Sequence, residues 1–272
     1  AKQFNGELIS ADSRQIYKGL DIVTGKDILA NQIYGYDLIQ PGEDWNLSHF
    51  QKFAQKIIKK ILSQNKLPII VGGTGLYIKG LLENYSPPPP NPELRQKLTK
   101  LSLIELQNYL KKINYDHFDK LNHSDQHNPH RLLHAIEINS SPTKGRAHEV
   151  EVEFDPLIIG LTAPITLLEK HIRDRVVKRI KQNPKKELIY LKKFNLGWQT
   201  SPATSLGYQE LDQYYSGKIT KKTLINLWTT HERQYAKRQL TWFNKQKDIH
   251  WFDITKPNYQ KQVVDLISAW YT

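Results

Sequence analysis

The sequence predicts an α/β protein: a parallel β-sheet core with helices around it, carrying a second, mostly helical domain as an insertion. Three observations lead there. Leu67-Pro68-Ile69-Ile70-Val71 is a short, continuously apolar run, the pattern of a parallel strand buried on both faces. It leads directly into Gly72-Gly73-Thr74-Gly75 and a helical pattern from Leu76 to Leu82, one arm of a βαβ unit. Residues 92–140 show helical spacing only, and strand character returns at Leu157-Ile158-Ile159-Gly160-Leu161. At 272 residues the chain can bury a sizeable core and hold one large domain and a smaller one.

In chain order, Glu7–Ala11 reads as a strand, followed by a loop rich in Gly and Asp from Gly19 to Asp27. Tyr36-Asp37-Leu38-Ile39 reads as a short second strand ended by Pro41-Gly42. From Asn46 onward, Leu47, Phe50, Ala54, Ile57 and Ile61 recur at helical spacing, with Lys52, Lys56, Lys59 and Lys60 largely off that stripe. Pro87-Pro88-Pro89-Pro90 favours a stiff, extended connector and is the clearest boundary. The expected division is therefore 1–90 and 151–272 for the core, with 91–150 as the helical insertion. Within the insertion, Leu94, Leu98, Leu101, Ile104, Leu106 and Leu110 are followed by Leu132, Leu133, Ile136 and Ile138, with a polar interruption from His123 to Pro129. After Pro164 a helix carries Leu168, Ile172, Val176 and Ile180 on one face. Residues 219–245 form another long helical pattern, and Ile249-His250-Trp251-Phe252 reads as a final strand.

Charged residues make up 24% of the chain, ordinary for a folded protein, but the net charge of +12 is not. It points to a polyanionic partner such as nucleic acid. No apolar stretch approaches the roughly 20 residues of a membrane-spanning helix. With no cysteine, disulfides and thiolate metal sites are excluded, which suits a cytosolic protein. The chain has no Met and begins at Ala1, so the expectation is that it starts inside a longer sequence.

Asp12 follows the first apolar strand, and ligands of open α/β sheets bind outside the carboxyl ends of the strands. An acid there is a candidate for chemistry, although Asp and Ser also cap turns and helices. Gly72-Gly73-Thr74-Gly75 could present backbone N–H groups to an anion, or could serve tight packing alone. It has neither the G-x-x-x-x-G-K-[ST] nor the GxGxxG spacing. The strongest basic segment runs from Glu232 to Phe243, where Arg233 and Lys237 share a helix face and Trp228, Tyr235 and Trp242 fall seven apart on another. Aromatics beside cations can hold unstacked bases and phosphates, or the rings can pack inward while the cations are solvated. Arg131, with Arg95, Lys97 and Lys100, suggests a second basic surface. His123, His127, His130 and His134 do not form a zinc signature.

Taken together, four ordered segments resemble the tRNA dimethylallyltransferase (isopentenyl-tRNA transferase) family over essentially the whole chain. They are Ile9 to Ile22 (ISADSRQIYKGLDI), Leu67 to Tyr77 (LPIIVGGTGLY), Leu206-Gly207-Tyr208-Gln209-Glu210 and Lys237-Arg238-Gln239-Leu240-Thr241-Trp242-Phe243. The resemblance implies transfer of a dimethylallyl group from dimethylallyl diphosphate to N6 of the adenosine 3′ of the anticodon. It also implies a P-loop NTPase-like, kinase-like α/β core, dependence on Mg²⁺, and a helical insertion that swings over the anticodon stem-loop. A cytoplasmic monomer without membrane contact is expected. Asp12 matches the position of the group that takes the N6 proton, and Arg233 is a candidate for helping with the diphosphate's charge. By the same resemblance, Asp12, Ser13, Arg14, Gln15, Thr74, Arg95, His130, Arg131, Leu132, Leu133, His134, Thr204, Ser205, Leu206, Gly207, Tyr208, Gln209, Lys237, Arg238, Gln239, Leu240, Thr241, Trp242, Phe243 and Asn244 line the tRNA path.

The sequence departs from the family in three places. The family's G-P-T-[AG]-[SA]-G-K-[ST] phosphate loop, whose N–H groups and Lys would cradle the diphosphate and whose hydroxyl would help hold Mg²⁺, is not in the chain. The expectation is a truncation before Ala1 that also removes a central strand, leaves the metal ligands unassigned and puts catalysis by this fragment in doubt. His134 stands where a second Arg is frequent, and Gln209 where Arg or Lys is common. Two other readings compete: a P-loop small-molecule kinase, and a tRNA-binding protein without catalysis.

Overall fold

A computed structural model describes residues 1–27, 33–83, 91–141 and 155–271. β1 (Gly6–Ser10) is the centre of a three-stranded parallel sheet of order β2-β1-β3. β3 (Leu67–Val71) runs beside β1 in register from Gly6↔Leu67 to Ser10↔Val71, and β2 (Ile33–Tyr34) pairs at Leu8↔Ile33 and Ile9↔Tyr34. A second parallel pair joins β4 (Ile158–Thr162) to β5 (Ile249–Asp253). Parallel pairing needs long crossovers, and helices supply them.

Two strand expectations are corrected. The second strand lies at Ile33–Tyr34 rather than at 36–39, because Gly35 (φ 101°) and Asp37 (φ 53°) turn left-handed and break the extended run. Ile39 keeps only an isolated bridge to Tyr17. β3 is not buried on both faces: among the described residues it pairs with β1 alone, and Val71 is 54% exposed. Its apolar run covers one side, where Ile70 packs on Ile9, Ile58 and Ile61.

α1 (Leu47–Ser63) starts where the Asn46 side chain accepts the His49 N–H at 3.2 Å, and it buries Leu47, Phe50, Ala54, Ile58 and Ile61. α2 (Gly75–Leu82) follows β3. The chain divides into two compact units, Ala1–Ile78 with Phe154–Thr272, and Lys79–Glu153. Pro87-Pro88-Pro89-Pro90, read as a boundary, lies outside the described residues.

The smaller unit is α3 (Pro92–Leu98), α4 (Leu103–Ile113), α5 (Tyr115–Lys120), α6 (His123–Gln126) and α7 (Pro129–Ser140). Each starts on a polar cap (Asn91, Ser102, Asn114, Asn122, Asn128), and Ser102 and Glu105 complete a capping box. The polar stretch from His123 thus becomes a one-turn helix because Asn122 accepts the Asp125 N–H at 2.9 Å. Leu98, Leu106, Leu110, Phe118, Leu132, Leu133, Ala135 and Ile136 form its core.

In the larger unit, α8 (Ile165–Lys181), α9 (Lys185–Lys192), α10 (Tyr208–Tyr215) and α11 (Lys221–Phe243) precede β5, and α12 (Tyr259–Tyr271) follows it. Their core joins Ile16, Tyr17, Leu20 and Val23 to Val176, Leu188, Leu211 and Trp228. Among the described residues no helix is long and apolar enough to cross a membrane.

Candidate functional site

A cleft of about 730 Å³ opens at the carboxyl end of β1, where Asp12 lines it. The Arg14 N–H donates to Asp12 Oδ1 at 2.8 Å, so the carboxylate closes its own turn. Burial raises the Asp12 carboxyl above the usual carboxylate range, and the Arg14 N–H, the Arg14 charge and the Arg179 charge pull it part of the way back. The neighbouring residues are tied down. Ser13 N–H donates to Thr74 Oγ1 at 3.1 Å, Gln15 Oε1 accepts the Ser10 hydroxyl at 2.8 Å, and Gln15 Nε2 donates to the Gly25 carbonyl at 3.2 Å. Arg14 Nη1 donates to the carbonyl and hydroxyl of Ser201, joining this turn to the segment that brings Thr204, Ser205 and Leu206 into the cleft.

The far wall is one face of α11. Glu232, Tyr235, Gln239 and Trp242 recur at helical spacing and all line the cleft, with Arg238 beside them. Gln239 Nε2 donates to the Gly73 carbonyl at 3.1 Å. Side chains at Gly73 and Gly75 would collide with Gln239 and with the Trp242 ring, and one at Gly72 with the Ala11 backbone. The glycines of this turn are therefore needed for close approach, and Gly73, Thr74 and Gly75 line the cleft because of it. Burial raises the Tyr235 phenol, opposed by its contacts with Thr74 and Gln239.

Sequence reasoning missed the cations on the third side. Arg175 and Arg179 of α8 line the cleft, and both bind the buried Glu232 carboxylate, Arg175 Nη2 at 2.6 Å and Arg179 Nη1 at 2.7 Å. These partners lie more than fifty positions apart, so no local pattern announces them. Arg233, one residue further along α11, is placed differently: it does not line the cleft, and its Nη1 donates to Glu169 Oε1 at 3.2 Å.

Not every residue of the expected tRNA path is free to meet a ligand. Tyr208 is fully buried with its hydroxyl donating to Glu187 Oε2 at 3.2 Å, and Gly207 (φ 115°) lies against Trp228. Gln209 Nε2 donates to the Trp198 carbonyl at 3.3 Å. Lys237 is exposed, Leu240 and Phe243 half-buried, the Thr241 hydroxyl donates to the Lys237 carbonyl, and Asn244 ends α11. In the smaller unit Leu132 and Leu133 bury their side chains in the core, on the same helix as His130, Arg131 and His134. Arg131 lies 3.6 Å from Asp125 and Arg95 3.6 Å from Glu137, while burial lowers the His134 imidazole. The His123 and His127 rings stack at 4.2 Å, and no cluster of three or more possible metal ligands occurs among the described residues.

Fold and site define an α/β protein whose acid, at a parallel strand's end, faces an aromatic and basic wall. The chain belongs to the IPP transferase family, whose model matches residues 15–246. It is 34% identical over 274 residues to the tRNA dimethylallyltransferase of Picosynechococcus sp., covering 98% of this chain and 92% of the relative. It is 38% identical over 259 residues to tRNA dimethylallyltransferase 2 of Treponema denticola, covering 90% and 85%. The solved tRNA delta(2)-isopentenylpyrophosphate transferase of Staphylococcus epidermidis superposes with a TM-score of 0.67 at 30% identity, covering 99% of this chain and 91% of that one. A eukaryotic dimethylallyltransferase acting on tRNA shares the fold at a TM-score of 0.79 and 22% identity, covering 99% and 73%.

Proposed function

We propose that this chain transfers a dimethylallyl group from dimethylallyl diphosphate to N6 of the adenosine 3′ of the tRNA anticodon. The observation that carries the chemistry is Asp12: a carboxylate at the end of β1, raised by burial, facing Tyr235, Gln239 and Trp242 across the cleft. The adenine amine is a poor nucleophile because its lone pair is delocalised into the ring. As N6 bonds to C1 of the dimethylallyl group, the C1–O bond breaks and its electron pair leaves with the diphosphate. Asp12 takes the N6 proton. The base must leave its stack to enter, which costs a few kcal/mol, and the Tyr235 and Trp242 rings offer it a replacement surface.

Arg14, Arg175, Arg179 and Arg238 give the cleft a cationic lining for phosphate groups. A P-loop NTPase-like core, a smaller unit that engages the anticodon stem-loop through Arg95, His130, Arg131 and His134, and a cytoplasmic monomer complete the proposal. Among the described residues, the Mg²⁺ that the family implies finds no protein cage. The acids of the cleft are Asp12 and Glu232, and two guanidiniums occupy Glu232.

The test measures diphosphate release and prenylated adenosine with dimethylallyl diphosphate and tRNA, for the wild-type chain and for Asp12→Asn. Release that requires tRNA and disappears in Asp12→Asn is expected. Tight tRNA binding without release, or phosphoryl transfer from ATP to a small molecule, would overturn the proposal.

A further inference from the structure

Arg179 and Glu232 are charged residues withdrawn from solvent, 8% and 7% exposed, yet both line the cleft that holds Asp12. Glu232 joins two guanidiniums of α8, and Arg179 packs against Gly25 so closely that any side chain there would collide with it. The Gly25 carbonyl accepts from Gln15, and Gln15 accepts from Ser10, on the two sides of Asp12. A continuous path therefore runs from Glu232 of α11 through Arg179 of α8 and the loop at Gly25 to the turn that carries Asp12.

We propose that Arg179, clamped by Glu232, is a positioning residue for the transfer reaction: it fixes the Asp12 turn through Gly25, and its charge, balanced by Glu232, contributes to how readily Asp12 takes a proton. This rests on the reading of Asp12 as the base. A cation near a carboxylate favours its ionised form, a second carboxylate opposes it, and burial magnifies both effects. The groups around Asp12 have identifiable signs. Arg14 from its own turn and Arg179 from α8 favour ionisation, and Arg175, Arg238 and Glu232 line the same cleft, the two cations with the sign that favours ionisation and the carboxylate with the sign that opposes it. Tyr36, Tyr77 of α2 and Tyr235 of α11 are neutral because burial raises each phenol, and His171 of α8 is exposed at the cleft. Arg179 is the buried cation of this set, and its charge acts on Asp12 as the charge of Asp12 acts on it.

The test is a pH titration of the free protein labelled with ¹³C at the aspartate carboxyls, the Asp12 resonance being the one missing in Asp12→Asn. Arg179→Met is expected to move the Asp12 midpoint upward, because a cation that favours the carboxylate is removed. Glu232→Gln is expected to move it downward, and Arg179→Lys to leave it near the wild-type value. Arg175→Gln, at a half-exposed position, withdraws one counter-charge from Glu232 and raises the midpoint even if the buried variants do not fold. The acid limb of the pH profile for tRNA prenylation should move with the titration. Midpoints that stay fixed, or that move the same way in Arg179→Met and Glu232→Gln, would overturn the proposal. The titration needs no turnover, so a wild-type chain that fails to prenylate tRNA sinks the functional reading separately.

Discussion

Glu187→Ala is expected to loosen one wall of the cleft from a position that no ligand would touch. The Glu187 side chain is buried (7% exposed) and accepts the backbone N–H groups of Asp21 at 2.8 Å, Ile22, and Val23 at 3.0 Å, with the Tyr208 hydroxyl at 3.2 Å. Truncation leaves four donors without their acceptor. Asp21 and Ile22 are half-buried and regain water, whereas Val23 and Tyr208 are buried and do not. At about 1–3 kcal/mol for each lasting unsatisfied group, the loss is about 3 kcal/mol. For a chain of this size that corresponds to a fall in Tm of about 6–12 °C. Val23, Thr24 and Gly25 form part of the cleft, so hydrogen exchange at the Val23 amide should accelerate in step. The assay is thermal denaturation with amide exchange, with Glu187→Gln as the comparison that keeps the shape and one acceptor oxygen. A Tm within about 2 °C of wild type, with Val23 still protected, would refute the argument that this carboxylate organises the loop.

Further outcomes are expected at the site and in the core. Burial raises the Asp12 carboxyl above its ordinary value, so its ionisation destabilises the fold progressively as pH rises from the unfolded value through the folded one. Asp12→Asn should therefore raise Tm at neutral pH while abolishing prenyl transfer, and an unchanged or lower Tm by calorimetry would contradict the burial argument. In the wild type, turnover should rise with pH through an acid limb that lies above the ordinary carboxylate range, visible in a profile of kcat/KM. Gly207→Ala puts a side chain at φ 115° against the wholly buried Trp228, and urea unfolding should show a loss of about 3 kcal/mol or more. Binding of tRNA should weaken with salt at a log–log slope of about −0.7 for each single-strand phosphate contact, and a flat response would count against the cationic cleft as its seat.

What was legible in the sequence is what repeats locally. Period and punctuation mark α1, α8, α11 and the strands at Gly6, Leu67, Ile158 and Ile249, because each buries a face whose residues are neighbours in the chain. The same spacing could not say what a face meets. Trp228, Tyr235 and Trp242 are spaced alike, but Trp228 lies in the core against Gly207 while Tyr235 and Trp242 border the cleft. The difference comes from α11 passing from the packed region around α10 to the open end of β1 and β3. The Arg175–Glu232–Arg179 group and the Glu187 clamp were invisible for a related reason: buried charge is stable only with partners, and these partners come from distant segments.

The glycine-rich turn shows why packing and chemistry were poor alternatives at this site. Gly72 meets the backbone of Ala11, Gly73 meets Gln239, and Gly75 meets Trp242, so each glycine satisfies a steric demand. Two of those neighbours are cleft residues of α11, and the third immediately precedes Asp12. Bulk in the turn would push α11 away from the strand ends, taking Tyr235, Gln239 and Trp242 with it and widening the cleft opposite Asp12. A turn selected for close approach is thus also what sets the distance between the proton acceptor and the surface that would receive the base. The Gln239–Gly73 hydrogen bond, at 3.1 Å, fixes that distance from the side of α11.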